Sequence, residues 1–193
     1  MGVWVLIGLI VLLIIVSISL VLWAIKIYNR FKILENMVKK AWSDIDTLIR
    51  KRYDLIPNLV ETVKGYAKHE QDTLVSVINA RNAGIGTQNP KDAIDANNMF
   101  TSTLKSLFAL AEAYPDLKAN QNYMDLQEKL AAIETELAQV RQVYNQAVTD
   151  FNTAIMMIPQ NFVASIFKFK EQPLFGITDE EREIMKDAPK VQF

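Results

Sequence analysis

The 193-residue chain has no cysteine, one histidine, and no charged residue before Lys26. The missing thiols remove disulfides, zinc-thiolate sites and cysteine nucleophiles together, and leave the compartment open. A single histidine, His69, excludes a multi-histidine metal site within one chain. An excess of positive charge is also lacking. The 21 Lys and Arg stand against 22 Asp and Glu, for a net charge of −1. Nucleic acid is therefore not an expected partner, because binding it needs a basic face that displaces counterions. Strand signals are missing: there is no sustained period-two alternation and no Asn-Gly or Asp-Gly between apolar runs. Nor is there a Gly-x-Ser-x-Gly, a Walker loop, a Gly-x-Gly-x-x-Gly or a Glu-x-x-His. No catalytic residue, cofactor, metal or small-molecule substrate is expected.

What the chain does have begins at its start. Residues 3–25, "VWVLIGLIVLLIIVSISLVLWAI", are uncharged and mostly apolar. As a helix they would measure about 35 Å, enough for one tilted crossing of a hydrocarbon core about 30 Å thick. Trp4 and Trp23 fall near its ends, where amphipathic rings favour the interface. A cleavable signal peptide would need a basic leader and small residues before the cut, whereas Ala24 is followed by Ile25 and Lys26. The expectation is a membrane anchor over 1–26. Lys26, Arg30, Lys32, Lys39 and Lys40 follow it against one acid, Glu35. The positive-inside rule then places the N-terminus outside and the remainder in the cytoplasm.

Four segments with a 3.6-type repeat predict an all-α protein, with the membrane helix leading into an antiparallel bundle of four long helices over 27–158. The first carries Phe31, Leu34, Val38, Ala41, Ile45 and Leu48 on one stripe. Pro57 predicts a break, with Asp54 as cap of a second helix that carries Leu55, Leu59, Val63, Tyr66, Leu74, Val77 and Ile78; a kinked continuation is the alternative. Asn89-Pro90 opens a third helix that Pro115 closes, and Asn122 caps the fourth, which runs to Ile155. The fourth stripe runs for about four heptads, so a longer coiled-coil assembly is the competing arrangement. Residues 159–193 read as a short helix and tail, with "TDEE" (178–181) as a capping box.

Two stretches stand out. In the first, Arg52, Asp54 and Asn58 surround Pro57. They either satisfy the turn, with Arg52 pairing an acid, or form a contact surface with Trp42 and Tyr66. In the second, Phe162, Phe167 and Phe169 sit beside Lys168 and Lys170, which suits either an interfacial helix or a lid on the bundle end. Paired carboxylates at Asp44/Asp46 and Glu134/Glu136 lie two apart and so on different helix faces, as on a solvated surface.

With "AWSDID" (41–46), "KRYDLIPNLVETVKGYAKHE" (51–70), "AR" (80–81), "YNQAVTDFNTAI" (144–155), Pro159 and "APKVQF" (188–193), the chain resembles the LemA family of bacterial membrane-anchored proteins over nearly its whole length. Lys51-Arg52-Tyr53 stands where the family often has paired arginines and a polar residue, and Thr135 replaces a frequent Asn. The resemblance implies a membrane helix followed by an antiparallel four-helix domain, with no established enzymatic activity. A related group occurs in magnetosome membranes. The expectation is a non-enzymatic scaffold at the inner membrane face, formed by homo-oligomerisation on the lipid bilayer. The alternative is an accessory subunit that recruits or regulates a membrane protease or envelope-stress complex. Trp42, Arg52, Asp54, Asn58, Tyr66, Phe162, Phe167 and Phe169 are the candidate contact residues.

Overall fold

The structure, a computed structural model, describes residues 2–87 and 89–176. Among these residues the chain is helical and has no strand. The order is α1 (Gly2–Lys64), α2 (Gln71–Ile85), α3 (Pro90–Ala111), α4 (Pro115–Lys118), α5 (Gln121–Met156) and α6 (Gln160–Ile166). The capping box at 178–181 and the closing "APKVQF" lie outside the described residues.

The expected break at Pro57 does not occur: α1 passes through Pro57 and ends at Lys64, followed by irregular turns from Gly65 to Glu70. Asp54 therefore has no helix start to cap. A proline inside a helix removes the N–H that its i−4 carbonyl would accept. That carbonyl belongs to Tyr53, and Arg81 Nε of α2 donates to it at 2.8 Å. A side chain from the next helix fills the vacancy, so the helix survives its proline. Arg81→Met is expected to cost about 1–3 kcal/mol, the usual range for orphaning a buried acceptor. In a Pro57→Ala background the new backbone N–H supplies the bond itself, and most of that loss should vanish in urea unfolding. A full loss in both backgrounds would mean that Arg81 acts elsewhere.

The chain packs as two compact units. One comprises residues 2–40 and 146–172. Its apolar stripe of Ile27, Phe31 and Val38 is buried, as are Val148, Phe151 and Ala154 of α5 and Val163 and Ala164 of α6. Phe169 joins the helices through its ring, 5.2 Å from Phe31, 5.8 Å from Tyr28 and 6.2 Å from Phe151. The Asn152 amide holds the returning chain at both ends, donating to Gln172 O and accepting from Gln172 N, each at 2.9 Å. Lys32 lies 5.2 Å from the Phe169 ring and donates to Glu35 at 2.9 Å. That bond is the first cause holding the Glu35 carboxyl below its ordinary range. In contrast, residues 3–25 are exposed almost throughout.

The other unit comprises residues 41–145 and 173–176. Ile45, Ile56, Leu59, Val63, Val77, Phe100, Leu107, Leu117, Leu137 and Tyr144 form its core. Asn89 caps α3 as expected, accepting from Asp92 N at 3.0 Å ahead of Pro90. Pro115 does more than close α3, since it opens the single-turn α4. The cap of α5 is Asn120, accepting from Tyr123 N at 3.1 Å, and not Asn122. Gln121 binds Asp125 at 2.7 Å within the first turn, so the helix is already under way before Asn122.

Candidate functional site

Arg52 occupies a position in the buried stripe of α1. Ile45, Leu48, Arg52, Ile56, Leu59 and Val63 follow one another at three or four positions, and all are buried. Arg52 is only 3% exposed. Its Nη1 reaches Glu134 Oε2 of α5 at 3.0 Å, Thr101 Oγ1 of α3 at 3.2 Å and Asn97 Oδ1 at 3.5 Å. The Phe100 ring lies 4.9 Å from its Cζ, and Tyr53 packs edge-on against that same ring at 4.9 Å. Thr101 also donates to Asn97 O at 2.8 Å. The other oxygen of Glu134 accepts from Arg141 Nη1 at 3.3 Å. One carboxylate thus stands between two guanidinium groups, each oxygen facing one. Burial is the first cause lowering both arginine pKa values, with Glu134 opposing it. Both remain cations at physiological pH.

The cluster continues through Arg141, whose Cζ lies 4.6 Å from the Phe175 ring. Asn145 clasps Phe175 at both backbone atoms, at 2.8 and 3.0 Å. Tyr144 donates to Pro173 O at 2.8 Å, and the Trp42 ring covers Tyr144 at 5.6 Å and Phe175 at 6.4 Å. Residues 173–175 are pinned to α1 and α5 by these contacts. The cluster ties α1, α3 and α5 together through the two guanidinium–carboxylate pairs, while Asn97 Nδ2 and Arg141 Nε are buried with no hydrogen-bond partner among the described residues.

Burial pushes the Tyr144 hydroxyl up to about 12, from an ordinary value of about 10. The unfolded chain then loses this proton first as pH rises, so the contribution is complete below about pH 10 and falls between about pH 10 and 12. Two units correspond to roughly 2–3 kcal/mol. Tyr144→Phe should cost about 1 kcal/mol at neutral pH through the lost hydrogen bond, and flatten the alkaline decline of stability in urea titrations. Tyr53 and Tyr123, also raised by burial, would leave a residual slope.

The remaining candidates are placed differently. Asp54 and Asn58 are exposed on α1. Tyr66 is exposed in the turn after α1, its hydroxyl accepting from Asn120 Nδ2 at 3.0 Å. Trp42 is half-buried, Phe162 and Phe167 are exposed, and Phe169 is half-buried among aromatic rings. Arg52 turns inward and pairs with an acid. Spacing assigned Glu134 to a solvated surface, but it lies half-buried and doubly paired. An open groove of about 710 Å³ runs beside Pro57 and is lined by Val60, Leu74, Val75 and Ile78, with Glu61, Lys64 and Lys68 at its rim. Among the described residues, no three His, Asp or Glu side chains converge as a metal set.

Among the described residues, these features define an all-helical protein with one apolar helix of membrane-spanning length and a buried polar cluster between helices. The LemA family model matches residues 41–193, and the chain belongs to the LemA family. Among curated relatives, magnetosome protein MamQ 2 of Paramagnetospirillum magneticum is 24% identical over 174 residues, covering 77% of this chain. Protein LemA of Metamycoplasma hominis is 24% identical over 152 residues, covering 77% of this chain and 68% of its own. The chain spans 64% of the length of the MamQ relatives.

Proposed function

We propose that this chain is a non-enzymatic organising protein, anchored in the bacterial inner membrane and working through homo-oligomerisation. The observation that carries the reading is the uncharged helix over 3–25, exposed along its length and continuous with a helix that enters a packed domain. Surface so apolar needs a nonaqueous surrounding. The cations from Lys26 to Lys40 favour an N-terminus outside and a cytoplasmic domain. That domain works as an antiparallel four-helix bundle built on α1, α2, α3 and α5. Confinement to a membrane plane raises effective concentration, so weak lateral contacts suffice for assembly. Trp42, Asp54, Asn58 and Tyr66 remain accessible for such contacts, whereas Arg52 acts within the protomer.

The apolar groove beside Pro57 favours a second reading, an accessory subunit holding a segment of a membrane enzyme. Crosslinking in native membranes separates the two. Self-crosslinked ladders are expected, and a single foreign band of constant stoichiometry would favour the accessory role.

A further inference from the structure

We propose that the α5–α6 corner is a second membrane contact, lying in the lipid interface beside the exit of the spanning helix. The inference rests on the anchor reading of residues 3–25. It begins from an exposed apolar patch: Ile158 is 79% exposed, Ile166 73% and Phe162 65%, with Met156, Met157 and Phe167 also exposed. Phe162 and Ile166 lie four apart on α6 and share its outer face, while Val163 and Ala164 turn into the unit.

Geometry fixes the depth of this patch. The Phe167 ring packs against Tyr28 at 4.7 Å, tilted by 53°. Tyr28 lies three residues beyond the end of the apolar run, about 4.5 Å along the helix axis. The C-terminal end of α6 is thereby held at headgroup level, where short amphipathic segments bury an apolar face about 5–10 Å deep. The closing turn keeps it there. Lys168 adopts φ 56°, and Lys168 and Phe169 donate back to Ser165 O and Ala164 O at 3.2 and 3.0 Å. Phe169 is then anchored on Phe31.

The charges suit an anionic lipid surface. Lys26 and Arg30 of α1 and Lys168 and Lys170 after α6 belong to the same unit as the patch, where Lys32 is already paired with Glu35. Glu171 is the one acid between residues 156 and 172. Apolar side chains bordered by lysines at headgroup depth are the composition of an interfacial contact. The bilayer occupies the face because the chain itself brings it there.

Absence of native cysteine makes the test direct. Full-length Phe162→Cys, Ile166→Cys, Ile14→Cys and Met99→Cys would each carry one environment-sensitive fluorophore. The proteins would be reconstituted in phosphatidylcholine–phosphatidylglycerol vesicles containing nitroxide-labelled lipid. Expected are strong quenching at position 14, at least half that quenching at 162 and 166 by shallow nitroxides, and none at 99. Quenching at 14 with 162 and 166 as unquenched as 99 would overturn the interfacial contact while leaving the anchor intact. Loss of quenching at 14 would instead overturn the anchor reading, and the contact with it. Disulfide-linked dimers of the unlabelled Phe162→Cys protein, formed where lipid quenching fails, would assign the face to a second copy and overturn the lipid contact.

Discussion

Glu134→Gln is expected to destabilise the domain by about 3 kcal/mol, more than Arg52→Met, which should cost about 1 kcal/mol. The asymmetry comes from burial. Without the carboxylate, Arg52 is left charged and 3% exposed beside Asn97 and Thr101, facing a second cation, Arg141, across the neutral amide. Without the guanidinium, Glu134 keeps Arg141 on Oε1 and a side chain 42% exposed as a whole, and only Oε2 is left buried and unpaired. Met also preserves contact with the Phe100 face. Combining the two changes should recover part of the Glu134→Gln loss, since the buried Arg52 cation is then gone while Arg141 still lacks its carboxylate. Urea unfolding followed by Trp42, which rests on Tyr144 and Phe175, reads the difference. An Arg52→Met cost equal to or above that of Glu134→Gln would mean that packing of the arginine, and not its counter-ion, holds the three helices.

Gly84→Ala should be comparably severe, at about 3 kcal/mol. Gly84 is buried in the last turn of α2, and a Cβ there would overlap the Tyr53 hydroxyl and fall 2.5 Å from its Cζ. Tyr53 cannot retreat easily, because its ring is fully buried edge-on to Phe100. Its hydroxyl has no hydrogen-bond partner among the described residues, so Tyr53→Phe alone should be close to neutral. Tyr53→Phe should also relieve part of the Gly84→Ala cost, while Tyr53→Leu in that background makes room at the expense of the ring contact. Equal losses for Gly84→Ala with and without Tyr53→Phe would assign the effect to the backbone of α2 and not to this contact.

Much of the fold was legible because it rests on local chemistry. The uncharged run over 3–25, the 3.6-type stripes, the Asn89-Pro90 start and the short helix after Pro159 are all readable from neighbours in sequence. Two misplacements have a common cause. Pro57 is locally a helix breaker, yet its missing hydrogen bond is replaced by Arg81, a residue from another helix. The cap at Asn120 in place of Asn122 follows from the single-turn helix that Pro115 starts, which has no apolar period of its own. The Arg52 cluster was half legible. Arg52 pairing with an acid was one expected outcome, but the acid was not identifiable. The available signal was that Arg52, Asn97, Glu134 and Arg141 each occupy a position in an apolar stripe at spacing three or four. Leu130, Glu134, Leu137, Arg141 and Tyr144 show it plainly on α5. Judging Glu134 by its distance from Glu136 hid that pattern. Gly84 is needed inside a helix because of the Tyr53 ring, which comes from α1, so no neighbour in sequence signals it.

A membrane-embedded apolar helix that turns a packed helical domain into a self-assembled patch is the centre of the functional proposal. The mass of the detergent- or nanodisc-solubilised full-length chain, measured by light scattering beside a chain lacking residues 1–26, tests it most directly. A discrete oligomer is predicted for the full chain, falling to a smaller species on truncation with the domain still folded. A monomer in both forms would contradict it.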